Sequence, residues 1–217
     1  MTELWIASDW HLGPHSPAVH GRLALAFLES AHAAGVEVIL NGDVFDDLFA
    51  GPGRAQAAHA DVATVIAALE AAGRLRRTAG NHDPEAGPER IVVQRPVVGR
   101  VLVTHGHSFD PINSSLLGKL GDSISRCFGR TALVRGAARL AETVARAVAG
   151  DRMIAVFRGR CLRAVGEGSF DLGLFGHVHR AHLVAGDRYA NAGGLHHDRL
   201  EYAVLDECGA RLAALLP

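Results

Sequence analysis

Apolar positions along the chain follow two rhythms. Short, nearly unbroken apolar runs (Leu4 to Ala7, Val36 to Leu40, Val101 to Thr104 and Leu172 to Phe175) each lead into a polar cluster containing Gly, Asp or His. Runs apolar on both faces suit strands covered on both sides, as in a sheet flanked by other layers. Between the first two runs, Pro17 to Ala34 places Val19, Leu23, Phe27 and Ala31 at helical spacing before Gly35, a stop signal. The rhythm repeats in a helix from about Arg54 to Ala72, closed by Gly73, and a short strand from Leu75 to Ala79. Ile91 to Gln94 is a further strand, and Tyr189 to Ala192, Tyr202 to Leu205 and Arg211 to Leu215 close the chain. The pattern predicts an α/β fold of one domain, residues 1–217, in which polar loops follow strand after strand.

One stretch breaks the rhythm. Residues 111–166 carry no strand signal and divide into three helical segments: Leu116, Leu117, Leu120, Ile124 and Phe128; Leu133, Ala137, Leu140, Val144 and Val148; and Ile154, Phe157, Cys161 and Val165. A helical insertion is expected here. It is cationic, with Lys119, Arg126, Arg130, Arg135, Arg139, Arg146, Arg152, Arg158, Arg160 and Arg163 against Asp122, Glu142 and Asp151.

The formal net charge of the whole chain is only −1, so acid elsewhere offsets the insertion and bulk charge points to no polyanionic partner. Aromatic residues make up 6%, too sparse around the arginines for a single-strand stacking platform, so nucleic acid is not an expected partner. The start, Met1 to Ile6, has neither a basic segment nor a long apolar run and predicts no signal peptide. No segment approaches the roughly 18 apolar residues of a membrane span. Cys127, Cys161 and Cys208 are odd in number, widely spaced and without zinc-finger spacing, which suits buried structural thiols in a cytoplasmic protein.

The chemistry lies in five clusters: Asp9-Trp10-His11, Gly42-Asp43, Gly80-Asn81-His82-Asp83, His105-Gly106-His107 and Gly176-His177-Val178-His179. Asp, the Asn carbonyl and neutral His are ligands for a divalent ion that activates water at neutral pH, and Mn²⁺, Fe²⁺ and Zn²⁺ all fit the mixture. Ligands in open α/β folds gather beyond the carboxyl ends of the strands, so clusters far apart in sequence can meet in one crevice. A carboxylate between two ions can bridge them, and Asp43 is the candidate.

The ordered set D-x-H, G-D, G-N-H-D, H, G-H-x-H resembles the calcineurin-like metallophosphoesterase superfamily over Trp5 to about Ala192. The resemblance implies a sandwich of mixed β-sheets flanked by helices, with the 111–166 insertion as a cap. It implies two divalent ions, Mn²⁺ before Fe²⁺ or Zn²⁺: one held by Asp9, His11 and His179, the other by Asn81, His105 and His177, with Asp43 shared. His82 would act at the scissile phosphate, oriented by Asp46 in the pattern G-D-x-x-D; His107 would stand behind the ligands. The implied reaction is in-line attack on phosphorus by a metal-bridging hydroxide.

Within the superfamily, Ser8-Asp9-Trp10-His11-Leu12-Gly13, Gly42-Asp43-Val44-Phe45-Asp46 and the insertion are most similar to UDP-2,3-diacylglucosamine pyrophosphohydrolases. That likeness implies a UDP-lipid diphosphate substrate and contact of the basic insertion with the inner membrane surface. His82, where that family typically has Arg, and His107, where its pattern has Asp, depart from it. The alternative substrates are nucleotides or other small phosphoesters. His196 and His197 are expected as surface histidines on a loop.

Overall fold

Strand β1 (Leu4–Ala7) alternates between two cores. Leu4 and Ile6 face one and Ala7, with the partly buried Trp5, the other. Strand β2 (Glu37–Asn41) does the same, with Ile39 on the first side and Val38 and Leu40 on the second. This is the two-sided covering that the unbroken apolar runs predict. The computed structural model describes residues 3–51, 53–112, 114 and 132–217, without the side chains of 132–149.

With β3 (Leu75–Thr78), β4 (Ile91–Arg95), β5 (Gly99–Val103), β6 (Leu172–Phe175), β7 (His182–Leu183), β8 (Tyr189–Asn191), β9 (Leu200–Asp206) and β10 (Gly209–Leu215), the strands form two mixed sheets. The first runs β10-β9-β1-β2-β3 and the second β4-β5-β6-β8-β7. β1, β2 and β3 are mutually parallel, as are β5, β6 and β8. Ile6, Ile39, Val101, Val103, Leu172 and Leu174 fill the space between the sheets. Two-residue β7 was not predicted; it is an edge strand that pairs only through His182 and Leu183.

Helices cover both outer faces, so the α/β sandwich of mixed sheets expected from the sequence is what the chain forms. Helix α1 (Ala18–Ala34) buries Leu23, Phe27 and Ala31 on the first sheet. It stops at Gly35, whose φ of 70° lets its N–H reach the His32 carbonyl while the Val36 N–H reaches Ala31. The predicted helix over 54–72 is two helices, α3 (Arg54–Ala58) and α4 (Ala60–Ala71), preceded by the single turn α2 (Asp47–Ala50). The break is His59, whose ring leaves the helix line to place Nε2 3.1 Å from the Gly13 carbonyl and to pack on Gly21. Tertiary contacts here override the helical periodicity.

On the other face, α5 (Ala132–Glu167) is one 36-residue helix where two segments were expected. Gly150 does not interrupt it, as a glycine in a helix interior costs only about 1 kcal/mol. Phe157, Cys161 and Val165, four residues apart, pack on Leu102, Phe175 and Tyr189 of the second sheet. The C-terminal part of the predicted insertion is therefore the fourth layer of the fold. Arg158 is committed there, paired with Asp187 and lying over the Tyr189 ring, and Arg160 bonds the Phe109 carbonyl and Ser114 Oγ. Arg152 and Arg163 are exposed. The first expected segment, Leu116 to Phe128 with Lys119 and Arg126, lies outside the described residues, as do Cys127 and the side chains of Arg135, Arg139 and Arg146. Cys161 is buried as expected, whereas Cys208 is exposed in the turn between β9 and β10. Among the described residues, no helix is long and apolar enough to cross a membrane.

Candidate metal centre

Each of the five clusters sits just beyond the C-terminal end of a strand: β1, β2, β3, β5 or β6. Pairing continues past those ends, with the Asp9 N–H on the Gly42 carbonyl (3.2 Å), the His11 N–H on Asp43 (2.9 Å) and the Gly176 N–H on His105 (3.1 Å). Three ties then draw the two sheets together at the same edge. The Asn41 side chain donates to the Thr104 carbonyl (3.1 Å), His105 Nδ1 meets the Asn41 carbonyl (2.9 Å), and the His177 N–H is shared by both Asp9 oxygens (3.0 and 2.9 Å).

The backbone is held in an unusual state to do this. Among the described residues six non-glycine positions have positive φ, and five are Asp9 (58°), His11 (46°), Asp43 (54°), His177 (71°) and His179 (51°). Each left-handed residue costs roughly 1–3 kcal/mol and persists only where its surroundings over-determine it. At Asp43 the over-determination comes from Asp83. Its carboxylate accepts the N–H groups of Asp43 (2.7 Å), Val44 (2.8 Å) and Phe45 (3.3 Å). The quoted G-N-H-D cluster contains Asp83, but no role for it could be read without knowing which turn lies beneath it.

Glycine makes the close approaches possible. A Cβ on Gly80 would sit 2.1 Å from Asp43 Oδ1, and one on Gly176 2.6 Å from Asp9 Oδ2.

The side chains converge in groups. Asp9, His11 and His179 form one, with His179 Nε2 3.2 Å from Asp9 Oδ1 and the His11 and His179 Nε2 atoms 3.0 Å apart. Asp43, His105 and His177 form another, with His105 Nε2 3.2 Å from Asp43 Oδ2. The same Asp43 Oδ2 lies 3.7 Å from His11 Nε2, while Oδ1 is tied down by the His82 N–H at 2.8 Å. One oxygen of Asp43 thus faces both groups. A third grouping, His11, Asp43 and His82, brings His82 to the same place. His82 Nδ1 bonds Asp46 Oδ1 at 2.8 Å, leaving Nε2 as its outward nitrogen.

Asp9, Asp43 and His105 are almost completely buried, so their charges interact strongly. Burial alone would raise Asp9 and Asp43, but the neighbouring imidazoles, His179 and His105 for Asp9 and His105 and His82 for Asp43, outweigh it and hold both carboxyls below the usual range. Burial would likewise lower His105, yet Asp43 and Asp9 push it up to about 10. His82 rises to about 9 because Asp43 and the Asp46 hydrogen bond overcome burial. His11 falls to about 3 through burial and His82, and His107 to about 4 through burial and His105. Burial and the Asp43 charge raise Asp83 to about 7.

Would a divalent ion fit? The carbonyl acceptor on His105 Nδ1 fixes one proton there, so Nε2, buried and without a hydrogen-bond partner, is the nitrogen that becomes a lone-pair donor when an ion displaces its proton. Asn81 Oδ1 is a second buried atom without one. Two orphaned donors beside two buried carboxylates match the oxygen and nitrogen ligands of Mn²⁺, Fe²⁺ or Zn²⁺. His107 keeps its ring 5.7 Å from that of His105. Away from this centre, His196 is held by Glu201 (3.1 Å), and His197 is exposed near His20.

No family model matches the chain. Over 120 residues, 49% of its length, it is 34% identical to UDP-2,3-diacylglucosamine hydrolases of Bordetella parapertussis and Bordetella bronchiseptica, covering 46% of each. The chain spans about half the length of the curated relatives it matches. The likeness to these hydrolases expected from the sequence is therefore found over about half of the chain. Among solved structures, Vps29 from Entamoeba histolytica, crystallised with Zn²⁺, superposes with a TM-score of 0.50 at 12% identity, over 99% of both chains. In fold the chain is similar to Vps29.

Proposed function

We propose that the chain is a dinuclear-metal phosphoester hydrolase. The observation that carries this is Asp43: one buried carboxylate oxygen lies 3.2 Å from His105 and 3.7 Å from His11, the nearest imidazoles of two separate ligand groups. Asp9, His11 and His179 would hold one ion, Asn81, His105 and His177 the other, and Asp43 both. When bound, the ions supply an activated water and neutralise phosphate charge. The chain's own residues do the rest. Asp46 fixes the His82 ring with Nδ1 inward, so that Nε2 can carry a proton to a departing oxygen. Asp83 and the glycines hold the liganding carboxylates in place before substrate arrives.

For the substrate, the relatives named as UDP-2,3-diacylglucosamine hydrolases support a UDP-lipid diphosphate, with Mn²⁺ the first choice of ion. Such a substrate would bring the exposed Arg152 and Arg163 of α5 toward an anionic membrane surface. A second reading, a phosphodiesterase or phosphatase acting on nucleotides or small phosphoesters, is favoured by the His82–Asp46 pair. A phosphate leaving group needs no proton at neutral pH, whereas an alkoxide does, and this chain keeps an acid in place to give it one.

The test is hydrolysis of bis(p-nitrophenyl) phosphate and of UDP-2,3-diacylglucosamine by protein loaded with Mn²⁺, beside Asp43→Asn. Turnover by the unaltered chain and loss of both metal binding and turnover in the variant are expected. No hydrolysis across a phosphoester panel at two ions per chain would sink the proposal.

A further inference from the structure

Asp110 has no place in the motif order, yet it touches the candidate centre. Its Oδ2 lies 2.8 Å from His177 Nε2, and both side chains are mostly buried, at 17% and 12% exposure. A carboxylate accepts only, so the shared proton sits on Nε2 and the lone pair of the ring is left at Nδ1. The hydrogen bond thereby chooses the His177 tautomer and fixes the plane of the ring. His105 is treated the same way by the Asn41 carbonyl on its Nδ1. Both imidazoles of the Asp43, His105, His177 group are thus oriented from behind by a fixed acceptor.

The other end of Asp110 is anchored in the segment that leaves β5. The 3-10 turn His107–Phe109 ends at Asp110, whose N–H meets the His107 carbonyl at 3.2 Å. Its Oδ1 accepts the Ile112 N–H at 2.7 Å, and Ser114 N–H returns to its carbonyl at 2.9 Å. Helix α5 fastens the same segment through Arg160, on the Phe109 carbonyl (3.4 Å) and Ser114 Oγ (3.2 Å). A single carboxylate therefore joins the root of the insertion, through one oxygen, to a candidate ligand through the other.

The geometry points to Asp110 as a positioning residue for His177, one that tunes the affinity of the ion held by Asn81, His105 and His177 and makes it depend on the seating of the insertion root. This rests on the dinuclear reading. Removing a partner of this kind typically lowers metal affinity about 10–100-fold. The loss falls on that ion first, because the Asp110 carboxylate bonds His177, while His11 and His179 meet each other and His179 meets Asp9.

The experiment titrates metal-free protein with Mn²⁺ by calorimetry, and with Co²⁺ by visible absorbance, in the unaltered chain, Asp110→Asn and Asp110→Ala. Metal-free melting temperatures are measured alongside. The expected result is one ion bound as before and the other weakened about 10–100-fold in Asp110→Ala. Asp110→Asn, which keeps an acceptor oxygen for His177, falls between, with a changed Co²⁺ spectrum. Two ions bound with unaltered affinity in both variants would overturn the inference and leave the dinuclear reading intact. Equal weakening of both ions, accompanied by a lower metal-free melting temperature, would also overturn it, since that is the mark of a fold-supporting role. If the unaltered chain itself binds fewer than two ions, the dinuclear reading falls and this inference with it.

Discussion

Gly42 offers the sharpest test of how the centre is built, because another glycine supplies its control. Gly35 and Gly42 share a left-handed backbone, with φ of 70° and 77°. A Cβ on Gly35 would meet nothing within 4 Å; one on Gly42 would lie 2.7 Å from His105 Cγ and 2.8 Å from its Cβ and Nδ1. Alanine at either site bears the left-handed penalty of about 1–2 kcal/mol, less the 0.4–1 kcal/mol gained by restricting the unfolded chain. For Gly35→Ala that is the whole effect, a net loss of roughly 1 kcal/mol. Gly42→Ala adds overpacking against a ring that is fully buried and pinned to the Asn41 carbonyl, a further cost of about 1–3 kcal/mol.

For a chain of this size each kcal/mol lowers the melting temperature by about 2–4 °C, so Gly35→Ala should fall by about 2–4 °C and Gly42→Ala by roughly 4–16 °C. The assay is thermal unfolding followed by circular dichroism in EDTA, then metal content after dialysis against Mn²⁺. If His105 is a ligand as proposed, Gly42→Ala should also lose the ion at His105, whereas Gly35→Ala should keep both. Equal melting temperatures for the two variants, or full metal content in Gly42→Ala, would refute the close packing of His105 on this turn.

Three further outcomes follow from the same geometry. His82→Ala and Asp46→Asn should retain metal and lower kcat by about 10²–10⁴ on an alkyl phosphodiester, and far less on a p-nitrophenyl ester, whose leaving group needs no acid; equal losses on both substrates would remove His82 as proton donor. His82 and His105, raised to about 9 and 10, contribute stability that is complete below about 6.5 and is lost as pH rises through those values. The metal-free protein should therefore lose melting temperature between pH 7 and 10, more steeply than the Mn²⁺-loaded protein; a rise over that window would contradict the assignment. Asp83→Ala leaves three buried N–H groups without their acceptor but also removes a charge that repels Asp43. A net loss of about 2–4 kcal/mol in urea unfolding is expected, together with loss of both ions, since the proposed centre shares Asp43 between them.

Most of the strands were legible because β1, β2 and β6 carry their two-sided burial as local composition, and because each cluster follows its strand directly; the order of the strands in the two sheets was not. The Asp46–His82 contact, which the resemblance to the superfamily implied, is present at 2.8 Å. What stayed hidden spans long distances. The break at His59 depends on a carbonyl 46 residues away, and Asp110 meets a histidine 67 residues further on. Neither has a periodic signature. The role of α5 was only partly visible: Phe157, Cys161 and Val165 announce an apolar stripe, but not that the second sheet receives it. Arg158 reads as one more positive charge of a basic insertion, and in the fold Asp187 and the Tyr189 ring occupy it.

The electrostatics of the centre explain why so much scaffolding surrounds it. Asp9, Asp43 and Asp83 are each at most 5% exposed, and Asp43 and Asp83 repel each other strongly enough, with burial, to raise Asp83 to about 7. Without ions the chain balances these charges with protons on His105 and His82. That arrangement is self-limiting. His11, beside the protonated His82, is driven down to about 3 and can add no charge of its own. Five left-handed residues and the buried Asn81 Oδ1 without a hydrogen-bond partner remain as further cost. Divalent ions would neutralise the carboxylates, take the place of the proton on His105 and occupy the bare Asn81 oxygen. Ion binding should consequently raise stability more at pH 9 than at pH 6, because the ion competes with a proton that His105, raised to about 10, gives up more readily as the pH rises.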